Sequence, residues 1–350
     1  MDNITLGSLP KVLLMGLRTS GKSSIRKVVF EKVPPQETTF LPTTTRVETD
    51  DIDKDTFVKF QVCDFPGQMD PFDPATRGSL DPNQIFENCG AIVYVMDCEH
   101  HLEEAQRRLL DTIIASYDAK SEAHIEVFIH KVDVVEADRK NDLFRKVKRF
   151  IDDGIVSRLG KKEASIEKRL NYNLTTIYDH SVFLAFSLVV QNLIKKQMPY
   201  IRELITMLKN RSRLQYAFLL DRTSKIYLAR DSDVQPEKYE LLSDAVELLE
   251  DLSSVYSTKA TQIRKLKANH GGNDLVGQSQ EELLGTLPNS DTVIHLADER
   301  ILYVKQLGSS LVLAAEIFER DFANRAMIDY NIAVFGKAIA EVFDAAGSMR

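Results

Sequence analysis

At 350 residues, with 43% hydrophobic and 28% charged side chains, the chain has the make-up of a globular protein of about two domains. A net charge of −7 argues against a general nucleic-acid binder, and no apolar run approaches the ~18 residues that cross a bilayer. Cys63, Cys89 and Cys98 lack metal-ligand spacing and read as small core residues of a reducing compartment.

The first predicted element is a short apolar strand, Lys11-Val12-Leu13-Leu14-Met15. It runs into Gly16-Leu17-Arg18-Thr19-Ser20-Gly21-Lys22-Ser23, which fits the phosphate-loop pattern G-x-x-x-x-G-K-[ST]. From Ser24 to Phe30, apolar residues at 25, 28 and 29 mark a helix face. Taken alone, the glycines could be an ordinary turn. Between a strand and a helix, the same loop aims backbone N–H groups and the positive helix end into one concavity. The expected nucleotide contacts here are Arg18, Thr19, Ser20, Gly21, Lys22, Ser23 and Ser24. Lys22 reaches the outer phosphates, where it also acts on the reacting group, and the Ser23 hydroxyl is placed to ligate Mg²⁺.

Pro34-Pro35 opens a polar stretch rich in threonine: Thr38, Thr39, Thr43, Thr44 and Thr45. Phosphate-loop switches use one such hydroxyl to bind the metal and sense the third phosphate. Spacing does not say which of the three consecutive threonines serves. A strand over 57–63 then ends in Asp64-Phe65-Pro66-Gly67-Gln68. The acid is the second magnesium element, Gly67 lets the backbone approach the terminal phosphate, and the Gln68 amide is placed to orient an attacking water. Residues 69–82, rich in Asp, Pro and Gly, read as a second switch.

Next come a buried strand over 90–96, a helix from about 102 to 116 with His100 and His101 solvated at its start, and a strand over 125–129. The last ends in His130-Lys131-Val132-Asp133, at the strand edge where open α/β sheets bind ligands. A carboxylate there accepts both N1–H and the 2-amino group of guanine; adenine would leave it unpaired. Residues 136–169 read as an exposed charged helix, followed by a strand over 173–177 and a helix carrying Val182, Phe186, Val189 and Val190. Backbone N–H groups near Thr176 and Ile177 can contact the guanine O6.

With these motifs in order, the chain resembles the Rag GTPases, and among them the C/D-type subunit (the second Gtr subunit of fungi). The resemblance is carried by Leu14-Met15-Gly16-Leu17-Arg18, Asp64-Phe65-Pro66-Gly67-Gln68, Val127-Phe128-Ile129-His130-Lys131-Val132-Asp133 and Ile177-Tyr178-Asp179-His180-Ser181. It continues through Ala217-Phe218-Leu219-Leu220-Asp221 and Asp329-Tyr330-Asn331-Ile332, so it covers nearly the whole chain. Most GTPases have Asn where His130 stands, and the family has His. The resemblance implies that Thr44 is the switch threonine and that Thr38 is a further nucleotide contact. Pro42 and a polar insertion at 77–80 depart from the family pattern.

The implied fold is a Ras-like, doubly wound, mostly parallel sheet (1–197) followed by a smaller α+β roadblock/longin-like domain (198–350). Met198-Pro199 marks the expected boundary. Beyond it the pattern gives a helix over 200–210, strands at 214–221 and 225–229, and a helix over 237–256. A loose loop at 258–289, three strands over 291–317 and a helix over 321–345 complete it. The 237–256 helix carries one apolar stripe through Leu242, Ala245, Val246, Leu249, Leu252 and Tyr256 and another through Leu241, Leu248 and Val255, which points to a subunit interface.

The resemblance further implies a GTP/GDP switch with Mg²⁺ held by Ser23, Thr44 and Asp64, slow hydrolysis without an activating protein, and Gln68 as the catalytic amide. Its implied partners are an A/B-type Rag subunit bound through the second domain, a membrane-anchored scaffold, the target-of-rapamycin kinase complex and a GTPase-activating protein. Neither chain end reads as a leader or lipid-attachment signal, so the expected location is cytoplasmic, held to the lysosomal or vacuolar membrane by that scaffold. Two other readings are a nucleotide-binding scaffold that does not usefully hydrolyse GTP, and a phosphate-loop kinase or ATPase, against which His130-Lys131-Val132-Asp133 argues.

Overall fold

The structure is a computed structural model and describes residues 9–52, 56–68, 82–160, 166–230, 238–249 and 291–347. Its contacts divide the chain into two units, one ending at Ile194 and one starting at Lys195, with residues 55–57 grouped with the second.

The first unit is built on six strands: β1 (Lys11–Met15), β2 (Glu48–Ile52), β3 (Phe60–Asp64), β4 (Cys89–Asp97), β5 (His124–His130) and β6 (Leu170–Thr175). Their order is β2-β3-β1-β4-β5-β6; all neighbours are parallel except β2 with β3. The chain order reverses beside β1, and a crevice opens at the carboxyl ends of strands at such a point. The strands are near-continuous apolar runs because helices cover both faces. On one face Ile92, Tyr94, Met96, Ile125, Val127 and Ile129 pack with α3 (Leu102–Asp118) and α4 (Ala137–Leu159). On the other, Phe186 of α5 (Ser181–Leu193) meets Phe30 of α1 (Lys22–Phe30) and Phe128 of β5 edge-on, at 5.3 and 5.4 Å. A short helix, α2 (Pro82–Phe86), precedes β4.

The charged 137–159 helix is amphipathic rather than exposed all round: Val147, Ile151 and Ile155, four residues apart, are fully buried. The edge strand β2 has no counterpart in the sequence expectations. Its residues, Glu-Thr-Asp-Asp-Ile, lack an apolar alternation, and its acids are met by Arg26 of α1, which bonds Glu48 at 2.9 Å and also Asp50. The strand expected over 57–63 begins only at Phe60, because the Phe57 N–H is taken by the Asp221 carboxylate (2.9 Å) within the second unit. The strand expected over 173–177 is shifted upstream, to 170–175, leaving Thr176 and Ile177 free of the ladder. Cys89 is half-buried rather than a core residue; Cys63 and Cys98 are buried, and all three are free thiols.

The second unit has a five-stranded antiparallel sheet, in the order β8-β7-β11-β10-β9. Its strands are β7 (Tyr216–Asp221), β8 (Tyr227–Arg230), β9 (Asp291–His295), β10 (Arg300–Leu307) and β11 (Leu311–Phe318). The longer helices are α6 (Met198–Ser212), α7 (238–249) and α8 (Arg325–Gly347), and a single turn, Glu319–Phe322, follows β11. Proline in the first turn of α6 is where its missing N–H costs nothing, which explains why Met198-Pro199 opens a helix. Of the two stripes expected on α7, Leu242, Ala245, Val246 and Leu249 are buried, whereas Leu241 and Leu248 are 39% and 53% exposed. Leu252, Val255, Tyr256, the loop at 258–289 and the switch at 69–81 lie outside the described residues.

Candidate functional site

A cleft of about 450 Å³ lies at the carboxyl ends of the parallel strands, within the range of sites for drug-sized ligands. Four stretches of chain line it: the loop between β1 and α1, the Thr38–Thr44 segment with Gly67, the turn after β5, and Thr176 to Tyr178 after β6.

The loop closes tightly. Gly21 caps α1 in the left-handed region (φ 104°), and a Cβ there would come within 2.6 Å of the His130 ring. Gly67 packs so closely on the loop that a Cβ would lie 2.2 Å from the Arg18 nitrogen. The approach of Gly67 to the loop therefore depends on the missing side chain. Lys22 is buried, with Nζ donating to the Gly16 and Leu17 carbonyls at 3.0 and 2.8 Å. Burial lowers its pKa to about 8, against the pull of Asp64.

At the head of α1, the Ser23 hydroxyl donates to Asp64 Oδ2 (2.6 Å) and lies 2.9 Å from the Thr44 hydroxyl. Of the three consecutive threonines, Thr44 is thus the one brought to Ser23. Thr43 instead accepts from Arg18 at 3.1 Å. Asp64 is fully buried, and its second oxygen, Oδ1, has no partner among the described residues. Burial raises its pKa, opposed by the Ser23 hydroxyl and by Lys22. A buried carboxylate oxygen left unpaired beside two hydroxyls is a donor set suited to a hard divalent cation that keeps waters and shares ligation with phosphate oxygens. Mg²⁺ fits it, and Ser23, Thr44 and Asp64 would hold the ion and supply charge for a bound triphosphate. No group of three or more His, Cys, Asp or Glu arranged to hold a metal ion exists among the described residues, so hydroxyls, one acid and phosphate would have to do this work.

At the other end, the Thr176 hydroxyl donates to Asp133 Oδ1 at 2.6 Å, which fixes the carboxylate beside the cleft. Lys131 donates to the Thr19 carbonyl (2.8 Å) and to Asp97 (2.7 Å), bracing the phosphate loop against β4. Burial would raise the Asp97 pKa, but Lys131 and the Glu99 and His100 N–H groups outweigh it and hold it low. His130 is buried, and burial pushes its pKa down to about 4.

The remaining expected residues divide. Arg18, Thr19, Ser24, Thr38 and Ile177 line the cleft, Thr38 with its hydroxyl on the Pro35 carbonyl (2.8 Å). Ser20 does not line it; its buried hydroxyl has no partner among the described residues. Gln68 is exposed and absent from the lining, one residue beyond Gly67. His100 and His101 are exposed at the start of α3. The sequence points to the backbone around Thr176 but not to the Thr176 hydroxyl on Asp133, nor to the buried Thr175 hydroxyl 3.0 Å from His130 Nδ1, both of which the register of β5 with β6 brings into place.

The model of the Gtr1/RagA G protein conserved region matches residues 11–246, two thirds of the chain. The chain belongs to the Rag/Gtr family. Among Rag/Gtr proteins it is 40% identical to "Ras-related GTP-binding protein C" of Mus musculus over 339 residues, covering 96% of this chain and 78% of that one. It is 35% identical to "GTP-binding protein gtr2" of Schizosaccharomyces pombe, covering 95% and 98%. It is 29% identical to "GTP-binding protein gtr1" of the same organism, over 53% of this chain and 56% of that one. This Rag/Gtr protein is therefore of the C/D and Gtr2 type. Its first unit is a phosphate-loop GTPase fold, and the antiparallel second unit fits the roadblock-like domain expected to follow it.

Proposed function

We propose that the chain is a guanine-nucleotide switch that binds GTP and GDP with Mg²⁺ and hydrolyses GTP slowly unless an activating protein assists. The observation that carries this reading is the convergence, at one cleft, of Lys22, of Ser23 and Thr44 with the buried Asp64 bonded to Ser23, and of the braced Asp133. The loop N–H groups and Lys22 hold phosphate charge. Ser23 and Thr44 come from the helix and the switch segment, so together they would hold Mg²⁺, whose charge would favour a bound triphosphate, and the position of the switch segment would then follow the nucleotide state. Asp133 accepts the two guanine donors.

The family resemblance extends the proposal. The partner is an A/B-type Rag subunit, which the exposed Leu241 and Leu248 of α7 suit as part of a subunit interface. The pair is held at the lysosomal or vacuolar membrane by an anchored scaffold and reports amino-acid sufficiency to the target-of-rapamycin kinase complex, this subunit acting mainly in its GDP form.

The position of Gln68, exposed and outside the cleft, favours a second reading: a nucleotide-binding subunit whose hydrolysis is negligible. Phosphate release in single turnover, with and without an activating protein, separates the two. Acceleration of about 10³-fold or more by the activator supports the switch. Release at the uncatalysed rate in both conditions supports the scaffold reading, and an unchanged rate in Gln68→Ala with activator removes Gln68 from the chemistry.

A further inference from the structure

His130 and Thr175 are the last residues of neighbouring parallel strands and stand in register with each other. The Thr175 hydroxyl lies 3.0 Å from His130 Nδ1, with Thr175 fully buried and His130 2% exposed. That contact is the hydroxyl's one partner among the described residues. A hydrogen bond between a hydroxyl and a neutral ring nitrogen can run either way, and counting donors decides it. If Nδ1 donated, the Thr175 proton would be left without an acceptor in a dry site, at the full desolvation cost of a buried donor. If the hydroxyl donates, Nδ1 is the acceptor and the ring proton sits on Nε2.

The Nε2 edge faces the cleft. His130 is among the lining residues, and the positions nearest a Cβ built on Gly21 are His130 Cδ2 and Nε2, at 2.6 and 2.9 Å. Nε2 has no hydrogen-bond partner among the described residues. The outcome is a neutral imidazole presenting one N–H donor beside the phosphate loop and near Asp133. On a guanine whose N1–H and 2-amino group meet a carboxylate, the opposite edge carries the acceptors N7 and O6.

We propose that Thr175 is the positioning residue of the base site: by donating to Nδ1 it fixes His130 as an Nε2–H donor to purine N7. This rests on the guanine-nucleotide reading of the cleft and deepens it. The labour is divided. Asp133 separates guanine from adenine, while the Thr175–His130 pair requires N7 itself, which both purines possess. A purine nucleotide whose N7 is replaced by C–H forfeits that bond and leaves the His130 donor facing carbon.

The test compares GDP with 7-deaza-GDP on the full-length chain with Mg²⁺, in wild type, Thr175→Val and Thr175→Ser. Affinities come from displacement of a fluorescent GDP, and nucleotide-free protein labelled with ¹⁵N at histidine gives the His130 tautomer by NMR. The wild type is expected to bind 7-deaza-GDP about tenfold more weakly than GDP, the worth of one hydrogen bond with its unsatisfied donor. Thr175→Val, which keeps the shape and removes the hydroxyl, weakens GDP by about that factor, leaves 7-deaza-GDP nearly unchanged and brings the ratio close to one. Thr175→Ser keeps the wild-type ratio, and the spectrum shows the Nε2–H form. A merely structural role for Thr175 would weaken both ligands alike and leave the ratio where it was. An unchanged ratio in Thr175→Val, a wild-type ratio of one, or an Nδ1–H tautomer overturns the proposal. The last two hold even if the valine variant does not fold. A wild type that binds neither ligand, or binds ADP as well as GDP, overturns the guanine reading itself.

Discussion

Asp133→Asn exchanges one carboxylate oxygen for an amide NH₂ at nearly constant shape. Asp133 is exposed at the cleft and held by the Thr176 hydroxyl at 2.6 Å; the asparagine carbonyl can still accept that bond, so the local frame survives. What changes is base pairing. Guanine offers two donors, N1–H and the 2-amino group, and the variant keeps one acceptor while turning a donor toward the other. Losing one hydrogen bond to a charged acceptor costs about 1.5–3 kcal/mol, and facing donor with donor adds a desolvation cost of about 1–3 kcal/mol. The sum corresponds to roughly 10²- to 10⁴-fold in affinity for GDP. Xanthine carries a carbonyl in place of the 2-amino group, so the asparagine NH₂ donates to it and the carbonyl accepts N1–H. The variant is therefore expected to prefer XDP over GDP, reversing the wild-type order. The assay is competition of GDP, XDP and ADP against a fluorescent GDP on full-length protein. GDP affinity within twofold of wild type, with no gain for XDP, would refute the assignment of Asp133 as the guanine-reading group.

Two further outcomes follow from burial. His130 has its pKa held near 4 against an ordinary 6.5, so between these values the unfolded chain binds a proton that the folded one excludes, and stability falls on acidification through that window. The displacement is worth about 3 kcal/mol, and His130→Asn should flatten the profile of the unfolding midpoint between pH 6.5 and 4 relative to wild type; parallel profiles would contradict it. On α7, replacing Leu241 and Leu248 together by Asp should leave the unfolding midpoint of the chain alone nearly unchanged while abolishing co-purification with an A/B-type subunit, whereas Leu242→Ala, in the buried stripe, should cost about 2–5 kcal/mol of stability. Retained pairing in the double aspartate variant would move the interface off this helix face.

The parts legible in the sequence were those whose signal is local. The phosphate loop announces itself because two glycines, a lysine and a serine must stand at fixed offsets between a strand and a helix. β1, β4 and β5 read as apolar runs because they are covered on both faces. The edge strand β2 was not legible, since it is all but devoid of apolar residues and its acids are answered by Arg26 across the chain. The charged helix α4 looked exposed because only Val147, Ile151 and Ile155 are fully buried, with Leu143, Phe144 and Leu159 partly covered against the same core. In the site, Asp133 was visible from its motif, but the hydroxyls that meet Asp133 and His130 were not. Thr176 meets Asp133 and Thr175 meets His130 across 43 and 45 residues, through the register of β5 with β6, and a strand end placed at 177 rather than at Thr175 hides both. Gln68 shows the opposite failure, a residue expected by position after Gly67 that the turn leaves outside the cleft.

The most direct test of the whole account is to bind fluorescent GDP and fluorescent ADP to the full-length chain, each with Mg²⁺ and again with the metal removed by EDTA. A preference for GDP of at least 100-fold, with release of GDP accelerated by EDTA, is the predicted result. Equal binding of the two nucleotides, or GDP release that takes no notice of the metal, would contradict it.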